Sequence, residues 1–515
     1  MNMKIRLIKY VIVVLFFSIA SLFHTVSAQK QIYYSSDWGE KLPSFPNHLI
    51  LKSNVVFVHE NMTMTCDSAV FNTQENLINA YSNIHIYQDT LHLYGDEFFY
   101  DANIKVAEVF GDTVNLYDGK INLQTDYMVM DRVAQTVRYT THADIWDDEN
   151  TLESQFGTYL MNTKVFEFTD QVILENNSLN MISDSLFYDT KSKNAYFFSK
   201  TYITTKDSVK IHTSLGSYDT KTDDAILYKD NLIINDNKQL IADSIFYNTK
   251  TEKSKAYRNI YLKDSLNQVI VYSQYLEKDE IETTPYLFLT EEILLQQIEE
   301  QDTLHLHCDS IWIYFDTTLN AEEMYAYNHV KFYRTDMQGV ADTLFYDVKD
   351  SLVYFLGEPI LWNENNQFTA DTISLKVIEK SVREMYMYPN VIIAQNSDTT
   401  TKQYFNQISG RQFKASFSKN RIKYAEIEQQ VKSIFYFWEE GKKTKRLTGV
   451  NIGESSKLNL YFERGKLKKM TAVDLPKFYL DDNERIDEKE KTLKGFVWLE
   501  DYRPMSKQDI FIHRD

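Results

Sequence analysis

The chain has 515 residues, a formal net charge of −18 and few glycines, 14 in all. A nucleic-acid-binding surface needs a basic footprint, so this charge argues against nucleic acid as a partner, and equally against adhesion to an anionic membrane surface. Scarce glycine also disfavours the glycine-rich loops that cradle phosphates. Tyrosine and phenylalanine are abundant, with 36 and 31 residues, and predict a protein that keeps its apolar side chains on an inner face.

The N-terminus has the organisation of a secretory signal peptide. Lys4, Arg6 and Lys9 give a basic start, an apolar run follows, and Val26-Ser27-Ala28 forms a small-residue cleavage site. The apolar run, about 14 residues long, is shorter than the ~20 needed to cross a bilayer. We therefore predict a cleavable signal peptide at residues 1–28 and export to the periplasm, with an uncleaved anchor as the alternative. No Cys follows the cleavage site, which argues against a lipoprotein.

A lead-in segment at residues 29–60 precedes a repeat array at residues 61–400. The clearest repeat, Ile-Ser-Asp-Ser-Leu-Phe-Tyr-Asp-Thr-Lys at residues 182–191, returns barely altered at 241–250 and 340–349. Weaker copies open at Asp67, Asp96, Asp126, Asp309 and Asp371. A fixed interval of roughly 29 residues is the signature of a repeat architecture, in which each unit packs on its neighbours.

Each repeat is predicted to form short strands joined by a polar turn, because β-branched and aromatic runs alternate with turn-forming residues. The last strand of each repeat carries two apolar residues two positions apart, which lie on one face of a sheet. These pairs are Ile84 and Ile86, Val172 and Leu174, Leu232 and Ile234, Ile260 and Leu262, Val330 and Phe332, Ile360 and Trp362, and Val391 and Ile393. Stacked repeats would line an apolar interior with these pairs, and strand residues such as Ile245 and Tyr247 would form a second wall.

Apart from an ambiguous apolar patch at residues 291–298, no segment after the signal peptide has a sustained helical period, so the predicted fold is all-β. A related pattern follows the array and predicts a second β section, or a modified end of the same sheet, at residues 401–480. Residues 481–515 are predicted to be a charged, flexible spacer followed by a C-terminal tail. Within that tail, residues 496–504 either dock as a strand on the last repeat or bind a partner.

The repeat aspartates are the only regular set of ionisable groups in the sequence. They are Asp67, Asp96, Asp126, Asp184, Asp243, Asp309, Asp342 and Asp371. One interpretation is a catalytic or calcium-binding ladder, but calcium needs several oxygen ligands around one ion and each repeat supplies one aspartate. We favour a strand-entrance residue on a solvated edge that bonds nearby backbone. The motifs of nucleotide-binding loops, serine hydrolases and zinc proteases are absent, so we predict no catalytic residue and no cofactor.

The histidine and cysteine residues do not predict a metal site or a disulfide. His305 and His307 share one face of a strand and could suggest zinc, but a third ligand is not evident, so we expect a surface pair. Cys66 and Cys308 both precede a repeat aspartate but lie eight repeats apart. At ~4.7 Å for each added strand their separation exceeds the ~7 Å Cα limit of a disulfide. We predict free or intermolecular thiols.

Taken together, the signal peptide, the Ala-Asp-Ser-Ile-Phe-Tyr-Asn-Thr-Lys repeat at residues 242–250 and the paired apolar column resemble the OstA-like (LptA-type) lipopolysaccharide-transport family. The resemblance covers about residues 50–395 closely and 405–480 more loosely. The chain carries more repeats than the short bridging members of that family. It also lacks the long barrel of the outer-membrane translocon.

The resemblance implies an extended β-jellyroll whose apolar interior groove holds the acyl chains of lipid A. The implied lipid-binding residues are Ile84, Ile86, Val172, Leu174, Leu232, Ile234, Ile260, Leu262, Val330, Phe332, Val391 and Ile393. The implied partners are lipopolysaccharide, other jellyroll proteins joined through edge strands, and the outer-membrane translocon. Two alternatives are a structural or adhesive surface array, and a β-solenoid carbohydrate-active enzyme, which would need acidic and basic residues clustered on one central repeat.

Overall fold

The computed structural model describes residues 31–280, 282–300, 302–398, 403–440, 445–463, 466–474 and 476–513. The predicted signal peptide lies outside the described residues. The described chain consists of β-strands and, near its C-terminal end, four short 3-10 turns, which confirms the all-β prediction. The ambiguous patch at residues 291–298 is a strand corner followed by a strand. Among the described residues no helix has the length and apolar character needed to span a bilayer.

The strands pair with their neighbours in the sheet in antiparallel orientation. The first thirteen are β1 (Tyr33–Ser35), β2 (Trp38–Leu42), β3 (Phe45–His59), β4 (Met62–Asn72), β5 (Leu77–Gln88), β6 (Leu91–Asp101), β7 (Val106–Asp118), β8 (Ile121–Asp131), β9 (Thr136–Tyr139), β10 (Ala143–Trp146), β11 (Thr151–Ser154), β12 (Phe156–Leu160) and β13 (Val165–Glu175). The next fifteen are β14 (Leu179–Asp189), β15 (Asn194–Phe197), β16 (Thr201–Thr205), β17 (Lys210–Thr213), β18 (Leu215–Asp219), β19 (Asp224–Lys229), β20 (Asn231–Asn235), β21 (Lys238–Ala242), β22 (Ser244–Asn248), β23 (Ser254–Asp264), β24 (Val269–Asp279), β25 (Tyr286–Thr290), β26 (Leu294–Ile298), β27 (Thr303–His307) and β28 (Ser310–Phe315). The remainder are β29 (Ala321–Arg334), β30 (Met337–Asp347), β31 (Leu352–Leu356), β32 (Ile360–Asn363), β33 (Asn366–Thr369), β34 (Thr372–Ile378), β35 (Ser381–Tyr388), β36 (Val391–Asn396), β37 (Phe405–Gly410), β38 (Gln412–Ser418), β39 (Arg421–Glu440), β40 (Lys445–Glu463), β41 (Lys466–Val473) and β42 (Lys477–Asp481). The 3-10 turns are Asn483–Arg485, Glu488–Lys491, Glu500–Tyr502 and Asp509–Phe511.

Two compact units make up the chain, and each is described by itself. The first runs to Leu174 and includes Phe187–Lys191, and the second comprises Glu175–Leu186 and continues from Ser192. The predicted divisions at residues 60, 400 and 480 stay predictions.

In both units each long strand is bent near its middle, and elsewhere the same bend separates two successive short strands. We call this bend a corner. In β3 the corner is Ser53 and Asn54, whose φ angles of 63° and 50° are left-handed. The pairing of β3 with β4 shifts register between Lys52 and Val55, so the corner is a β-bulge, which bends a strand. The first half-sheet comprises residues 48–52, before the corner of β3, and the strand segments paired with them. The second half-sheet comprises residues 55–59, after that corner, and the segments paired with them. The corner recurs in the second unit at Arg258–Asn259 in β23 and at Gln429–Gln430 in β39.

The inward face of the second half-sheet is a ladder of directly paired apolar residues. In the first unit it runs Phe57, Met64, Ile86, Leu93, Leu116, Leu123, Ile145 and Leu152. None of these eight side chains is more than 1% exposed. In the second unit it runs Met181, Ile203, Ile211, Ile233, Leu240, Leu262, Val271, Leu295, Leu306, Phe332, Gly339, Leu361, Phe368, Ile393 and Ile408. The predicted apolar interior is therefore present in each unit.

The prediction for Leu232 and Ile234 is wrong by one residue. The corner before them has a single left-handed residue, Asp230, with φ of 55°. The first inward position consequently falls on Asn231 and the next on Ile233, and both of these residues are buried. A slip of one residue moves every side chain of a strand to the other face, so Leu232 and Ile234 lie outward and are half-buried.

The pair Ile360 and Trp362 is also wrong by one residue, although the corner before it has two left-handed residues. The left-handed residues before it are Gly357 and Glu358, and the inward ladder passes through Leu361. Ile360 and Trp362 therefore lie on the outward face of the second half-sheet. Both are nevertheless buried, because the C-terminal segment covers that face.

The predicted charged spacer is packed against the second unit. Ile486 and Leu493 join Ile434, Tyr436 and Val450 in one cluster of buried apolar residues. Apolar residues spaced among the charges anchor this segment, which its overall composition conceals. Residues 496–504 follow it on the same unit, docked but without forming the strand that one alternative predicted.

Candidate functional site

Nine of the twelve residues predicted to bind lipid are buried in the interior. They are Ile84, Ile86, Val172, Leu174, Ile260, Val330, Phe332, Val391 and Ile393. Leu262 belongs to the same inward ladder but is half-buried. Ile245 and Tyr247, the expected second wall, are buried on the first half-sheet at 1% and 4% exposure. The sequence thus identified both walls of the interior, apart from the pair Leu232 and Ile234 and the pair Ile360 and Trp362, which lie on the outward face.

The repeat aspartates lie at the corners, on the exposed side. Asp67 accepts a hydrogen bond of 2.6 Å from Asn83, which belongs to the corner of the next strand. Asp243 accepts one of 2.9 Å from Asn259, and its own N–H donates to Arg258. These aspartates therefore join neighbouring corners at mid-strand, and they bond corner side chains as well as the backbone that we expected. Two cavities of about 850 and 520 Å³ also lie beside Asp243, outside the apolar interior.

Immediately before the corner lies a column of small, buried residues that the sequence analysis did not predict. Each hydroxyl or thiol donates to the carbonyl oxygen two residues on: Cys66 to Ser68, Ser183 to Ser185, Thr213 to Leu215, Ser273 to Tyr275 and Cys308 to Ser310. Both cysteines are free. Burial, followed by the charge of Asp67, raises the pKa of the Cys66 thiol to about 12, and burial also raises the pKa of Cys308. These thiols are packing residues of the corner.

Opposite the corner, at the mouth of the interior, tyrosine hydroxyls join the two half-sheets in contacts that we call latches. Tyr100 bonds His59 at 2.7 Å, Tyr159 donates to Asp118 at 2.7 Å, and Tyr188 donates to Asp147 at 2.9 Å. In all three the partners are 41 residues apart. All three tyrosines are fully buried, so each ring contributes to the core and each hydroxyl closes the mouth.

Charged groups reinforce the first two latches of the first unit. Arg132, only 6% exposed, donates to Tyr100 at 3.0 Å, to Gln88 at 3.0 Å and to Asn61 at 2.9 Å. A buried guanidinium that lost these partners would be strongly destabilising, so the network favours the closed mouth.

In the latch between Tyr159 and Asp118, the buried Asp118 carboxylate accepts hydrogen bonds from three donors. Thr90 donates at 2.6 Å, Tyr159 at 2.7 Å, and Lys164 forms an ion pair with the same carboxylate. Burial by itself raises the pKa of Asp118, but the hydrogen bonds from Lys164, Thr90 and Tyr159 outweigh it and hold the pKa below its usual value. Burial and the bond to Asp118 raise the pKa of Tyr159. The latch therefore requires an ionised Asp118.

In the second unit one tyrosine makes a contact of this kind, and the tyrosine of the next repeat does not. Tyr218 receives a hydrogen bond of 3.3 Å from Asn176, 42 residues upstream. The hydroxyl of Tyr247, in the corresponding position of the next repeat, is buried and has no hydrogen-bond partner. Asn235 still donates to Glu252 at 3.2 Å near this point.

Beyond this point some inward side chains of both half-sheets become accessible, while others, such as Val271 and Leu306, remain only 3% exposed. On the second half-sheet the accessible residues are Leu262 and Leu295, which are half-buried. On the first half-sheet they are Ile313, Met324 and Val353, which are also half-buried. Ile313 pairs with Met324, Met324 with Tyr346, and Tyr346 with Val353. We call residues 262–353 the open stretch. Its accessible residues are apolar, which suits a hydrocarbon ligand better than a polar one.

One cluster of side chains on the outward surface could hold a cation. His142, Asp144 and Glu153 place ligand atoms within 4.8 Å of one another, and among the described residues no other three His, Cys, Asp or Glu side chains do so. Because the ligands come from two strands, no sequence motif indicates them. His305 and His307 are not the surface pair we expected, since His307 is 6% exposed and bonds the carbonyl oxygen of Ile293 at 2.7 Å.

Comparison with known proteins shows a similarity for part of the chain. No curated protein sequence matches it significantly. A similar solved structure is LptH of Pseudomonas aeruginosa, described as the LptA-homologous periplasmic component of the lipopolysaccharide transport device. It is 11% identical over 28% of this chain and 84% of its own, with a TM-score of 0.15. The family model described as OstA-like protein matches residues 40–184, a stretch that holds the first corners and two complete latches, so this part of the chain is similar to OstA-like proteins.

Proposed function

We propose that the protein is a lipopolysaccharide-transport protein that carries acyl chains in its apolar interior. The observation that carries this proposal is the pair of apolar walls, which are buried over most of their length and have half-buried side chains along the open stretch at Leu262, Leu295, Ile313, Met324 and Val353. The OstA-like match of residues 40–184 supports the proposal, since the family resembled by the sequence transports lipopolysaccharide.

The energetics of lipid transfer fit such an interior. Each CH₂ group exposed to water costs ~0.8 kcal/mol, so an acyl chain of a dozen carbons costs about 10 kcal/mol. An apolar wall of similar residues removes most of that cost without a deep minimum that would trap the cargo. The function requires no catalytic group, and we propose that the protein is not an enzyme.

The mouth defines where the acyl chains enter. Along the first unit, an acyl chain would have to break hydrogen bonds of buried groups such as Tyr159 and Asp118 before the half-sheets part. Along the open stretch the bonds across the mouth that Lys380 donates, to Gln268 at 3.3 Å and to the carbonyl oxygen of Ile298 at 3.2 Å, belong to exposed groups rather than buried ones. We therefore propose that cargo enters at residues 262–353, and that the latched unit opens only as cargo moves along it.

The proposed setting is the periplasm, to which the predicted signal peptide would direct the chain. Strands β1 and β2 pair with the two halves of β3, and β41 and β42 pair with the two halves of β40. Terminal strands of this kind offer unpaired edges to which another chain can add a strand. We propose that other jellyroll proteins of the transport bridge, and the outer-membrane translocon, bind there.

Photo-crosslinking in cells that make lipopolysaccharide tests the proposal. A photoreactive residue is placed at Leu262 or at Met324, with the exposed turn residue Lys250 as the control. We expect lipopolysaccharide adducts at Leu262 and Met324 and none at Lys250. Silence at both inward positions, in a protein that is exported and folded, would overturn lipid carriage and leave the surface-array alternative.

A further inference from the structure

The C-terminal residues 482–513, which we call the strap, lie on the outward face of the second half-sheet in the second unit. That face carries its own ladder, in which Gln338 pairs with Trp362, Trp362 with Gln367, Gln367 with Ala394, and Ala394 with Gln407. These five residues are at most 3% exposed, although their neighbours on the same strands fill the opposite, inward face. The strap therefore buries a face that would otherwise meet water.

Two glutamines of this ladder hold the strap in the same way. The Gln367 side chain donates to the carbonyl oxygen of Val497 at 2.8 Å and accepts from the N–H of Leu499 at 2.7 Å. The Gln407 side chain donates to the carbonyl oxygen of Lys491 at 3.0 Å and accepts from the N–H of Leu493 at 2.9 Å. A primary amide offers one acceptor and two donors in one plane, which matches the carbonyl and N–H of residues two apart in an extended peptide.

Gln338, the third glutamine of the ladder, binds a side chain of the strap. Gln338 accepts two hydrogen bonds from the Arg503 guanidinium, at 2.8 Å from Nε and 2.6 Å from Nη2. Arg503 also donates to the carbonyl oxygen of Glu364 at 3.0 Å. Arginine at this position is therefore selected by two acceptors, whereas the clamps at Gln367 and Gln407 recognise backbone alone.

Aromatic contacts lie between the glutamine clamps. The ring of Phe405 packs against Phe496 and Trp498, with centroids 5.5 and 4.9 Å apart. Farther along the strap, Ile510 is fully buried and Phe511 packs against His307 at 4.8 Å. Bonds to a peptide backbone combined with pockets for selected side chains are the general mode of peptide recognition.

The corresponding face earlier in the second unit is bare and differently composed. Its outward residues include Tyr202, Ile241 and Tyr272, at 50%, 40% and 39% exposure. The buried glutamines thus occur where the strap lies. The strap itself adds no strand to the sheet, and its Val497 and Met505 remain 58% and 62% exposed.

From these contacts we propose that the face carrying Gln338, Gln367 and Gln407 is a peptide-binding surface, and that the strap is its detachable ligand, accepted equally from a second copy of this chain. The inference is independent of lipid binding. On this surface a peptide can bind or leave while both apolar walls keep their structure.

The test uses the full chain with a protease site inserted between Asp482 and Asn483 and cut after folding. We expect the cut strap to dissociate on dilution, measured by size exclusion, while circular dichroism of the remaining chain stays unchanged. A fluorescent peptide of residues 483–515 should then bind saturably by fluorescence polarisation. The paired variant Gln367→Ala and Gln407→Ala should weaken that binding by roughly tenfold or more. The matched control is Gln412→Ala, an exposed glutamine on the first half-sheet, which should leave it unchanged.

Three results would overturn the proposal. The first is a strap that stays bound after cutting until denaturant is added, and the second is a chain that unfolds when the strap leaves. The third is peptide binding that is insensitive to the clamp variants. If the paired variant does not fold, the single variant Gln367→Asn, which shortens the clamp and keeps its polarity, should still weaken binding severalfold, and no loss there also contradicts the proposal.

Discussion

The latched stretch of the first unit, residues 59–174 together with Tyr188, and the open stretch of the second, residues 262–353, share corners and apolar ladders but differ at the mouth. In the latched stretch Tyr100, Tyr159 and Tyr188 each bond a side chain of the opposite half-sheet. In the open stretch inward residues such as Ile313 and Val353 are half-buried. The same repeat therefore builds a sealed interior or an accessible one, according to the polar residues at its strand ends.

The difference shows how a repeat array can divide its roles. In each latch the tyrosine hydroxyl contributes one hydrogen bond across the mouth, worth about 1 kcal/mol when its partners are neutral and more when one is charged. Such bonds are individually weak enough to open in sequence, yet together they keep water out of an interior that would otherwise be a groove. Because the corners are alike in both stretches, the latches are the variable that substitutions can isolate.

The largest expected effect comes from placing a charge on the inward ladder of each stretch. Ile86→Asp buries a carboxylate at a position with 0% exposure, and we expect it to lower the free energy of unfolding by more than about 4 kcal/mol. Leu262→Asp lies at the accessible mouth, and we expect a loss of about 1–2 kcal/mol because the charge keeps part of its hydration. Urea unfolding of the two variants measures both values. Equal losses would mean that the open stretch is as closed as the latched one.

A smaller effect is expected from neutralising the latch carboxylate. Asp118→Asn removes the charge that Lys164 and Tyr159 bond, and we expect a loss of about 2 kcal/mol at pH 7. The folded-state pKa of Asp118 lies below its unfolded value of about 3.9, so its contribution is present above that value and lost as the pH falls through the folded pKa. The difference between wild type and variant should therefore be constant from pH 7 to about 5 and shrink below about 4. A difference that persists at pH 2 would contradict the assignment.

The sequence was sufficient for the walls because period two and repetition determine them. It failed at two pairs, Leu232 with Ile234 and Ile360 with Trp362, where the inward positions lie one residue away from the predicted ones. The corner before Leu232 has Asp230 alone as a left-handed residue, whereas the corner before Ile260 has Arg258 and Asn259, and nothing in the apolar pattern records that difference. Apart from Gly357, the left-handed positions at the corners are filled by residues other than glycine, such as serine, asparagine, arginine and glutamine, so the usual signal of such a backbone is weak.

The latches and the strap were beyond prediction for a different reason. Each latch joins residues of different repeats, so the periodic tyrosines were visible but Asp118 and Asp147 had no recognisable role. The strap combines charged residues with isolated apolar ones and has no period, which is why its first part resembled a flexible spacer. Both features depend on contacts between segments distant in sequence, and only the folded chain brings those segments together.

Removing a single hydroxyl should give a smaller difference that isolates the latch itself. Tyr159→Phe deletes the bond to Asp118 and keeps the buried ring, and we expect a loss of about 1 kcal/mol. Tyr247→Phe is the matched control, because its hydroxyl is buried without a partner. Its removal should leave the free energy of unfolding unchanged or slightly raised. Equal losses for the two variants, again by urea unfolding, would show that the mouth gains nothing from the latch.

The smallest expected effect concerns the two cysteines, neither of which should react with a thiol reagent in the native protein. This result would show that the two stretches differ at the mouth and not at the corner. Cys66 belongs to the unit with the latches, and Cys308 lies within the open stretch, yet both are buried at a corner. Burial raises both thiol pKa values, to about 12 for Cys66, so hardly any reactive thiolate forms at pH 8. A thiol reagent such as dithionitrobenzoate should therefore modify neither cysteine of the native protein, and both after denaturation. Rapid modification of Cys308 alone would show that the second unit also opens at its corner.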